Sequence, residues 1–334
     1  MKNIKVAVNG FGRIGRVFTR FLTESSFENI ELVAINDLVD TATLAHLLKY
    51  DSVHGVFNHV VKSDQDHIYI DGKAIKVCSE KNPENLPWNN LGVDVVVEST
   101  GFFRTKSLAN LHIKAGAKKV IISAPALGDD VKTVVLGVND HILDGTENII
   151  SNASCTTNCA APMVKLIHEN FGIDSGYITT THAYTGDQNI HDAPHKDLRR
   201  ARAAAKSIIP TTTGAAKAIS KIFPELSGKL KGSGIRVPVL NGSLTDIICV
   251  VNKPSSIEKI NDLFYKASSN GELSPYMSYT SDPIVSNDVI GNPSSCVIDS
   301  ALTAVNGSTI RVIGWYDNEA GYSNRLIDLI RKVG

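Results

Sequence analysis

An excess of charge of either sign is the first thing this chain lacks: Lys and Arg together number 34, and so do Asp and Glu. Without a global field, nothing points to nucleic acid or an anionic membrane as a partner. Cysteine is scarce. Cys78, Cys155, Cys159, Cys249 and Cys296 are odd in number and form no regular framework, which excludes a disulfide-stapled secreted fold. Cys155 and Cys159 lie one helical turn apart, but no second pair has zinc-like spacing, so no metal is expected and Cys159 is read as structural. No apolar run reaches membrane-spanning length, and a strand-like Ile4–Asn9 sits almost at Met1, so we expect neither a membrane span nor a signal peptide. Internal repeats, low-complexity tracts and flexible linkers are missing too. These absences leave a reduced, cytoplasmic, globular protein. Its 334 residues, 43% hydrophobic and 20% charged, suffice for two domains, each with a core.

What is present first is alternation. Ile4–Asn9 and Ile30–Asn36 read as strands, and residues 13–24 and 41–50 as helices. Residues 94–98 and 119–123 read as strands with a helix over 108–115 between them. The apolar runs are Val/Ile-rich and nearly continuous, as expected for strands buried on both faces of a parallel sheet. This alternation predicts a Rossmann-type, doubly wound α/β domain. The 67–77 region, with Asp71-Gly72 between two alternating runs, reads as a hairpin inserted into it. After Ser154 the texture changes. A helix from Cys155 stops at Phe171-Gly172, with Pro162 expected to bend it. Strand-like runs follow at 176–182, 234–239, 244–251, 296–305 and 308–315, with few helices between the later ones. They predict a second, α+β domain with a mainly antiparallel sheet. We expect domains at 1–153 and 154–317, with a C-terminal helix over 318–334 packing back on the first through its stripe of Leu326, Leu329, Ile330 and Val333. The polar, basic stretch 184–206 shows no periodicity, and loops of that length are usually functional or covered by a partner.

Gly10-Phe-Gly12-Arg13-Ile14-Gly15 follows a strand and opens a helix, the context a dinucleotide-binding turn requires. Its glycines permit the tight turn, close approach of backbone to pyrophosphate, and close helix–strand packing. Asp37 ends the second strand about 20 residues on, where a carboxylate accepts from ribose hydroxyls and repels a 2′-phosphate. NAD is therefore expected over NADP.

Ser151-Asn-Ala-Ser154-Cys155-Thr156-Thr-Asn-Cys159 places a thiol on the first turn of a helix, with Ser154 able to cap it. Thr-Thr-His182 ends a following strand. A cysteine reacts as thiolate, and a helix N-terminus and an imidazolium are devices that produce one. Alone, each residue has a plainer reading: a lone cysteine is usually a small buried apolar group, and a strand-end histidine a satisfied core residue. As a pair they suggest a covalent cysteine enzyme carrying a dinucleotide. Arg200, Arg236, Thr185 and the Thr211-Thr-Thr213-Gly214 turn are candidates for binding phosphate. The run from Lys196 to Arg202 could equally meet another subunit.

The whole chain resembles the phosphorylating glyceraldehyde-3-phosphate dehydrogenase family. Matching segments run from Asn9–Arg16 through Leu44–Gly55 and Ser151–Cys159 to Trp315–Glu319. The resemblance implies Cys155 as nucleophile and His182 as the group that activates it. It implies NAD contacts at Arg13, Ile14, Asp37, Ser123 and Asn318, with Asn318 orienting the nicotinamide carboxamide. Ser154, Thr156, Thr213 and Gly214 would bind inorganic phosphate, Thr185 and Arg200 the phosphate of glyceraldehyde 3-phosphate, and Arg236 would lie between. It also implies a homotetramer in which the 184–206 loop meets a neighbour. Three positions depart from the family pattern. Lys81 stands where many members have arginine beside the adenine. Val237-Pro-Val-Leu-Asn-Gly-Ser243 replaces Val-Pro-Thr-Pro-Asn-Val-Ser. Ala193 before Pro194 removes apolar bulk near the ribose. Rival readings are an erythrose-4-phosphate dehydrogenase, an NADP-dependent anabolic homologue, and a non-enzymatic NAD- or RNA-binding scaffold, which the neutral charge balance does not favour.

Overall fold

Continuous Val and Ile runs must bury both faces, and the first sheet does this with parallel strands. The computed structural model describes residues 3–25, 27 and 29–334. Met1, Lys2, Ser26 and Glu28, all within the expected first domain, lie outside the described residues. The chain divides into two compact units. One comprises Met1–Val134, His141–Ala153 and Ser323–Gly334, and the other Val135–Asp140 and Ser154–Tyr322.

The first unit holds a nine-stranded sheet ordered Lys132–Thr133, Ile149–Ser151, Lys119–Ile122, Val95–Glu98, Ile4–Asn9, Ile30–Asn36, Lys73–Cys78, His67–Ile70 and Val61–Ser63. Pairing is parallel as far as Lys73–Cys78 and antiparallel through the hairpin beyond it. The predicted doubly wound architecture and its inserted hairpin are both present. Val6, Val8, Val95, Val96 and Val97 are fully buried, which explains why these strands show no polar alternation. Helix boundaries follow local chemistry. The helix expected at 108 starts at Lys106, because Thr105 caps it by accepting from the Leu108 N–H at 3.2 Å. The helix expected to reach Tyr50 stops at Lys49, since Tyr50–Asp51 pairs with Gly55–Val56 in a small ribbon.

The second unit's seven-stranded sheet runs Ile209–Thr211, Leu230–Val237, Ile173–Ala183, Ser243–Val251, Thr309–Tyr316, Cys296–Asn306 and Met277–Thr280. It is mainly antiparallel, as expected. The exceptions are Leu230–Val237 beside Ile173–Ala183 and Met277–Thr280 beside Cys296–Asn306. The Cys155–Phe171 helix continues through Pro162 and ends at Gly172, whose φ of 68° suits glycine. Two helices were not expected, Ala215–Ile222 and Ile257–Ser269. Residues 184–208 contain no helix or strand. Among the described residues, no helix is long and apolar enough to cross a membrane.

Gly10 has φ +90°, and a Cβ there would sit 2.7 Å from the Thr100 nitrogen, whereas one on Gly12 would meet nothing within 4 Å. Left-handed strain and overpacking each cost about 1–3 kcal/mol. Gly10→Ala is therefore expected to lose roughly 2–4 kcal/mol in urea unfolding, and Gly12→Ala under about 1 kcal/mol. Equal losses at the two positions would contradict this account of the turn.

Candidate active site

The second unit's strand register assembles the reactive groups. Parallel pairing of Ile173–Ala183 with Leu230–Val237 puts His182 directly beside Arg236. The Cys155–Phe171 helix starts where Ser154 accepts from the Thr157 N–H at 3.0 Å, which anchors the first turn that carries the thiol. Cys155 Sγ lies 3.4 Å from His182 Nε2. The other ring nitrogen, Nδ1, is 2.7 Å from the Ala183 carbonyl. A carbonyl only accepts, so the proton sits on Nδ1 and the Nε2 lone pair faces the thiol. Arg236 Nη1 is 2.9 Å from Nδ1, but acceptors for its hydrogens stand at the Ala183 carbonyl (2.8 Å) and Thr185 Oγ1 (3.4 Å).

Electrostatics set the resting state of this pair. Burial, reinforced by the Arg236 charge, lowers the His182 pKa to about 3. Burial also raises the Cys155 thiol above its ordinary value, and Arg236 opposes that shift. Taken singly, each group is thus pushed toward its neutral form. The helix terminus and imidazolium invoked from the sequence thus compete with a desolvation cost that the sequence does not reveal. Cys155 remains partly exposed and reachable. Among the other thiols, Cys249 and Cys296 are buried, and burial drives Cys249 up to about 12 and Cys296 well above its ordinary value.

Around the pair stand candidate anion ligands. Arg200 donates from Nε to Thr211 Oγ1 at 2.9 Å, and Thr211 Oγ1 donates to Asp197 at 2.7 Å. Arg200 is also ion-paired with Asp187. Burial lowers the pKa of both Arg236 and His182 and the Arg200 charge adds to the shift, so two like-charged guanidiniums share one neighbourhood suited to an anion. Thr156 points inward: its hydroxyl meets Tyr316 Oη at 2.9 Å, and Thr180 meets the same oxygen at 2.9 Å. Tyr316, unforeseen from the sequence, packs edge-on against the His182 ring, centroids 6.0 Å apart. Thr213 Oγ1 accepts from the Ala215 N–H at 3.3 Å, and Gly214 precedes the Ala215–Ile222 helix. No bond joins Thr213 or Gly214 to the Cys155–His182 pair. Asn318, on the same unit, accepts through Oδ1 from the Ser243 hydroxyl at 2.7 Å.

The first unit forms a cleft of about 360 Å³ lined by Asn9, Gly10, Gly12, Asp37, Lys81 and Phe102 among others. The residues fit a dinucleotide. Gly12 leaves the space before the Arg13–Glu24 helix open, and no side chain caps that helix. Gly15 packs so tightly that a Cβ would stand 2.4 Å from the Gly10 carbonyl. Asp37 is held at the strand tip by the Phe11 N–H (2.7 Å) and Val39 N–H (3.1 Å). The Arg13 guanidinium is committed to Asp51 at 2.5 and 3.0 Å, and holds that carboxyl far below its usual range against the opposing cost of burial. What Arg13 and Ile14 offer a pyrophosphate is thus the start of the helix itself. Ser123 follows the Lys119–Ile122 strand, its N–H bonded to the Glu98 carbonyl.

Beneath the cleft lies a buried network absent from the sequence reading. Glu98 accepts from Asn9 Nδ2 (2.6 Å), His112 Nε2 (3.0 Å) and the Thr100 N–H (2.9 Å), and Trp88 Nε1 donates to His112 Nδ1 at 3.0 Å. The indole can only donate, so His112 carries its proton on Nε2 and gives it to Glu98. Asn36 bridges Asn9 to Glu80, extending the network to the cleft wall. An apolar strand ending in Asn9 and another in Glu98 was the available signal. Among the described residues, no three His, Cys, Asp or Glu stand together to hold a metal.

Known proteins are similar to this chain along its whole length. Residues 4–106 match the family model described as glyceraldehyde 3-phosphate dehydrogenase, NAD binding domain. Residues 154–318 match glyceraldehyde 3-phosphate dehydrogenase, C-terminal domain. The chain is 57% identical over 333 residues to glyceraldehyde-3-phosphate dehydrogenase 2 of Streptomyces avermitilis. It is 55% identical over 333 residues to glyceraldehyde-3-phosphate dehydrogenase of Streptomyces coelicolor, and 54% over 336 residues to that of Mycobacterium avium. Each comparison covers 99% of this chain and 98% of the relative.

A buried neutral histidine leaves a thermodynamic mark. The unfolded chain protonates His182 as pH falls below about 6.5, whereas the folded chain resists to about 3. Its contribution to stability is therefore greatest above pH 6.5 and declines as pH falls from there toward 3, by up to ~1.4 kcal/mol per pH unit. Urea midpoints of the native protein and His182→Asn, compared at pH 7 and pH 5, should converge at the lower pH. A constant gap would refute the buried neutral imidazole.

Proposed function

Because the chain belongs to the glyceraldehyde-3-phosphate dehydrogenase family, we propose that it oxidises D-glyceraldehyde 3-phosphate to 1,3-bisphosphoglycerate, with inorganic phosphate as co-substrate and NAD as the cofactor reduced. The observation that carries this reading is Cys155 Sγ at 3.4 Å from a histidine nitrogen whose proton lies on the far side of the ring.

Cys155 gives its proton to His182 Nε2, and the resulting charges attract across a site where each alone is disfavoured. The thiolate attacks the aldehyde carbon, and the new alkoxide takes the proton back, forming a thiohemiacetal. Donors for that oxygen are His182 and the backbone at Cys155. Hydride acceptance is the chemistry that NAD supplies when bound. As the carbon loses hydride, His182 Nε2 removes the hydroxyl proton again and a thioester remains on Cys155. Phosphate attacks this carbonyl, the sulfur leaves to recover its proton from His182, and the phosphate's own proton passes to solvent.

Two anions take part, so two sets of ligands are needed. Thr185 and Arg200 would hold the substrate's phosphate. Ser154, Thr156, Thr213 and Gly214 would hold the attacking one, with Arg236 between. Gly10, Gly12, Arg13, Ile14, Gly15, Asp37, Ser123 and Asn318 would bind NAD. The first unit, with the Ser323–Gly334 segment assigned to it, supports a nucleotide domain over most of 1–153 and a catalytic domain over 154–317; Val135–Asp140 clusters with the latter, and the C-terminal helix expected over 318–334 spans Ala320–Val333. Free thiols at all five cysteines favour a reducing, cytoplasmic location. Ile190, Leu198 and Ile208, 75%, 80% and 70% exposed, give the segment around 184–206 an apolar surface that supports a homotetramer.

Cys155→Ser should bind NAD normally in a titration yet lose turnover by at least about 10³-fold, and reduced cofactor should form in sustained turnover only when inorganic phosphate is present. Sustained oxidation by the serine variant would sink the covalent scheme. Leu198→Asp should shift sedimentation from tetramer toward smaller species; an unchanged native tetramer would remove this loop from the interface.

A further inference from the structure

Ser243 stands between two groups the proposed reaction needs, and its hydrogen bonds run in one direction. Its Oγ accepts from the Ala183 N–H at 3.1 Å, next to His182, and donates to Asn318 Oδ1 at 2.7 Å. Ser243 is 1% exposed and Asn318 6%. The backbone N–H has no lone pair, so it occupies the hydroxyl as acceptor and leaves the hydroxyl hydrogen to find an acceptor of its own. Among the described residues that acceptor is Asn318 Oδ1. Turning the amide over would place Nδ2 against Oγ and strand the hydroxyl hydrogen in a buried site. A lost hydrogen bond of this kind shifts such an equilibrium by roughly ten- to a hundredfold.

The chain on either side keeps the two residues in place. Gly242 has φ +83°, and a Cβ there would lie 2.1 Å from the Ser286 carbonyl, so this turn demands glycine. Asn241 Nδ2 donates to Asp317 Oδ1 at 2.8 Å, and the same oxygen accepts from the Glu319 and Ala320 N–H groups, both at 2.8 Å. Ser243 also pairs in register with Tyr316, two residues before Asn318. Position and polarity are thus set by different neighbours: Asp317 fixes where Asn318 sits, and Ser243 fixes which end of its amide faces outward.

We propose that Ser243 is a positioning residue that locks the Asn318 side-chain amide with Nδ2 outward, so that it offers a hydrogen-bond donor, and not an acceptor, to the carbonyl of a bound nicotinamide carboxamide. This rests on the reading of Asn318 as a nicotinamide contact. Orientation of that carboxamide governs how the ring presents itself, so a serine that touches no substrate acts on cofactor selection through its neighbour.

Equilibrium titration of the full chain with NAD, and separately with ADP-ribose, which lacks the nicotinamide, tests this. Ser243→Ala is expected to weaken NAD about tenfold and leave ADP-ribose unchanged. Asn318→Asp retains an acceptor for Ser243 but removes the outward donor, and should weaken NAD at least as much. In an Asn318→Ala background, Ser243→Ala should add no further loss, because the group it orients is gone. The proposal is overturned if Ser243→Ala leaves NAD affinity intact, if it weakens ADP-ribose as much as NAD, or if its effect persists in full without Asn318. Should Asn318→Ala also spare NAD, the reading of Asn318 falls with it, whereas phosphate-dependent turnover by the native protein tests the proposed reaction independently.

Discussion

Desolvation of the Cys155–His182 pair is the constraint on which the second unit depends. Either group, taken from water alone, is pushed toward its neutral form. Their facing atoms, Sγ and Nε2, stand 3.4 Å apart, close enough that a charge on one would be compensated by an opposite charge on the other. A parallel pairing inside a mainly antiparallel sheet sets Arg236 beside this imidazole. It discourages a second positive charge there while pulling the thiol toward ionisation. The same guanidinium therefore lowers the proton affinity of both groups.

Around that pair, orientation comes from groups with no freedom of role. The Ala183 carbonyl can only accept and so settles the His182 tautomer. The Trp88 indole can only donate and so settles that of His112, which leaves Glu98 holding Asn9 and Thr100 beneath the glycine turn. Buried polar networks specify geometry when every member is satisfied. Here they sit under the cleft and behind the reactive strand, where flexible side chains would blur the site.

Much of the architecture was legible because it is written in local patterns. The strand at Ile4–Asn9 and the helix at Arg13–Glu24 follow from a buried apolar run, a glycine turn and a helical stripe. The Cys155 helix was legible at both ends through Ser154 and Gly172. The Ile257–Ser269 helix went unseen although Ile257, Ile260 and Phe264 recur at helical spacing and Ser256 caps it. Short strands such as Lys132–Thr133 and Ile209–Thr211 exist only because a neighbour pairs with them. Arg13 was read as a cofactor contact, and no pattern in the sequence announced that Asp51 would engage its guanidinium.

The amino-acid order by itself determined the chemical inventory: a thiol at a helix start, an imidazole at a strand end, a glycine turn before a helix, and arginines and hydroxyls suited to phosphate. Those depend on residue type and on spacing within a few turns of chain, which are local quantities. Only the tertiary structure decided which residues stand side by side, which tautomer each histidine adopts, and which way shifts in proton affinity run. These follow from strand register and from the removal of water, and both are set by residues dozens of positions away that no local pattern can weigh.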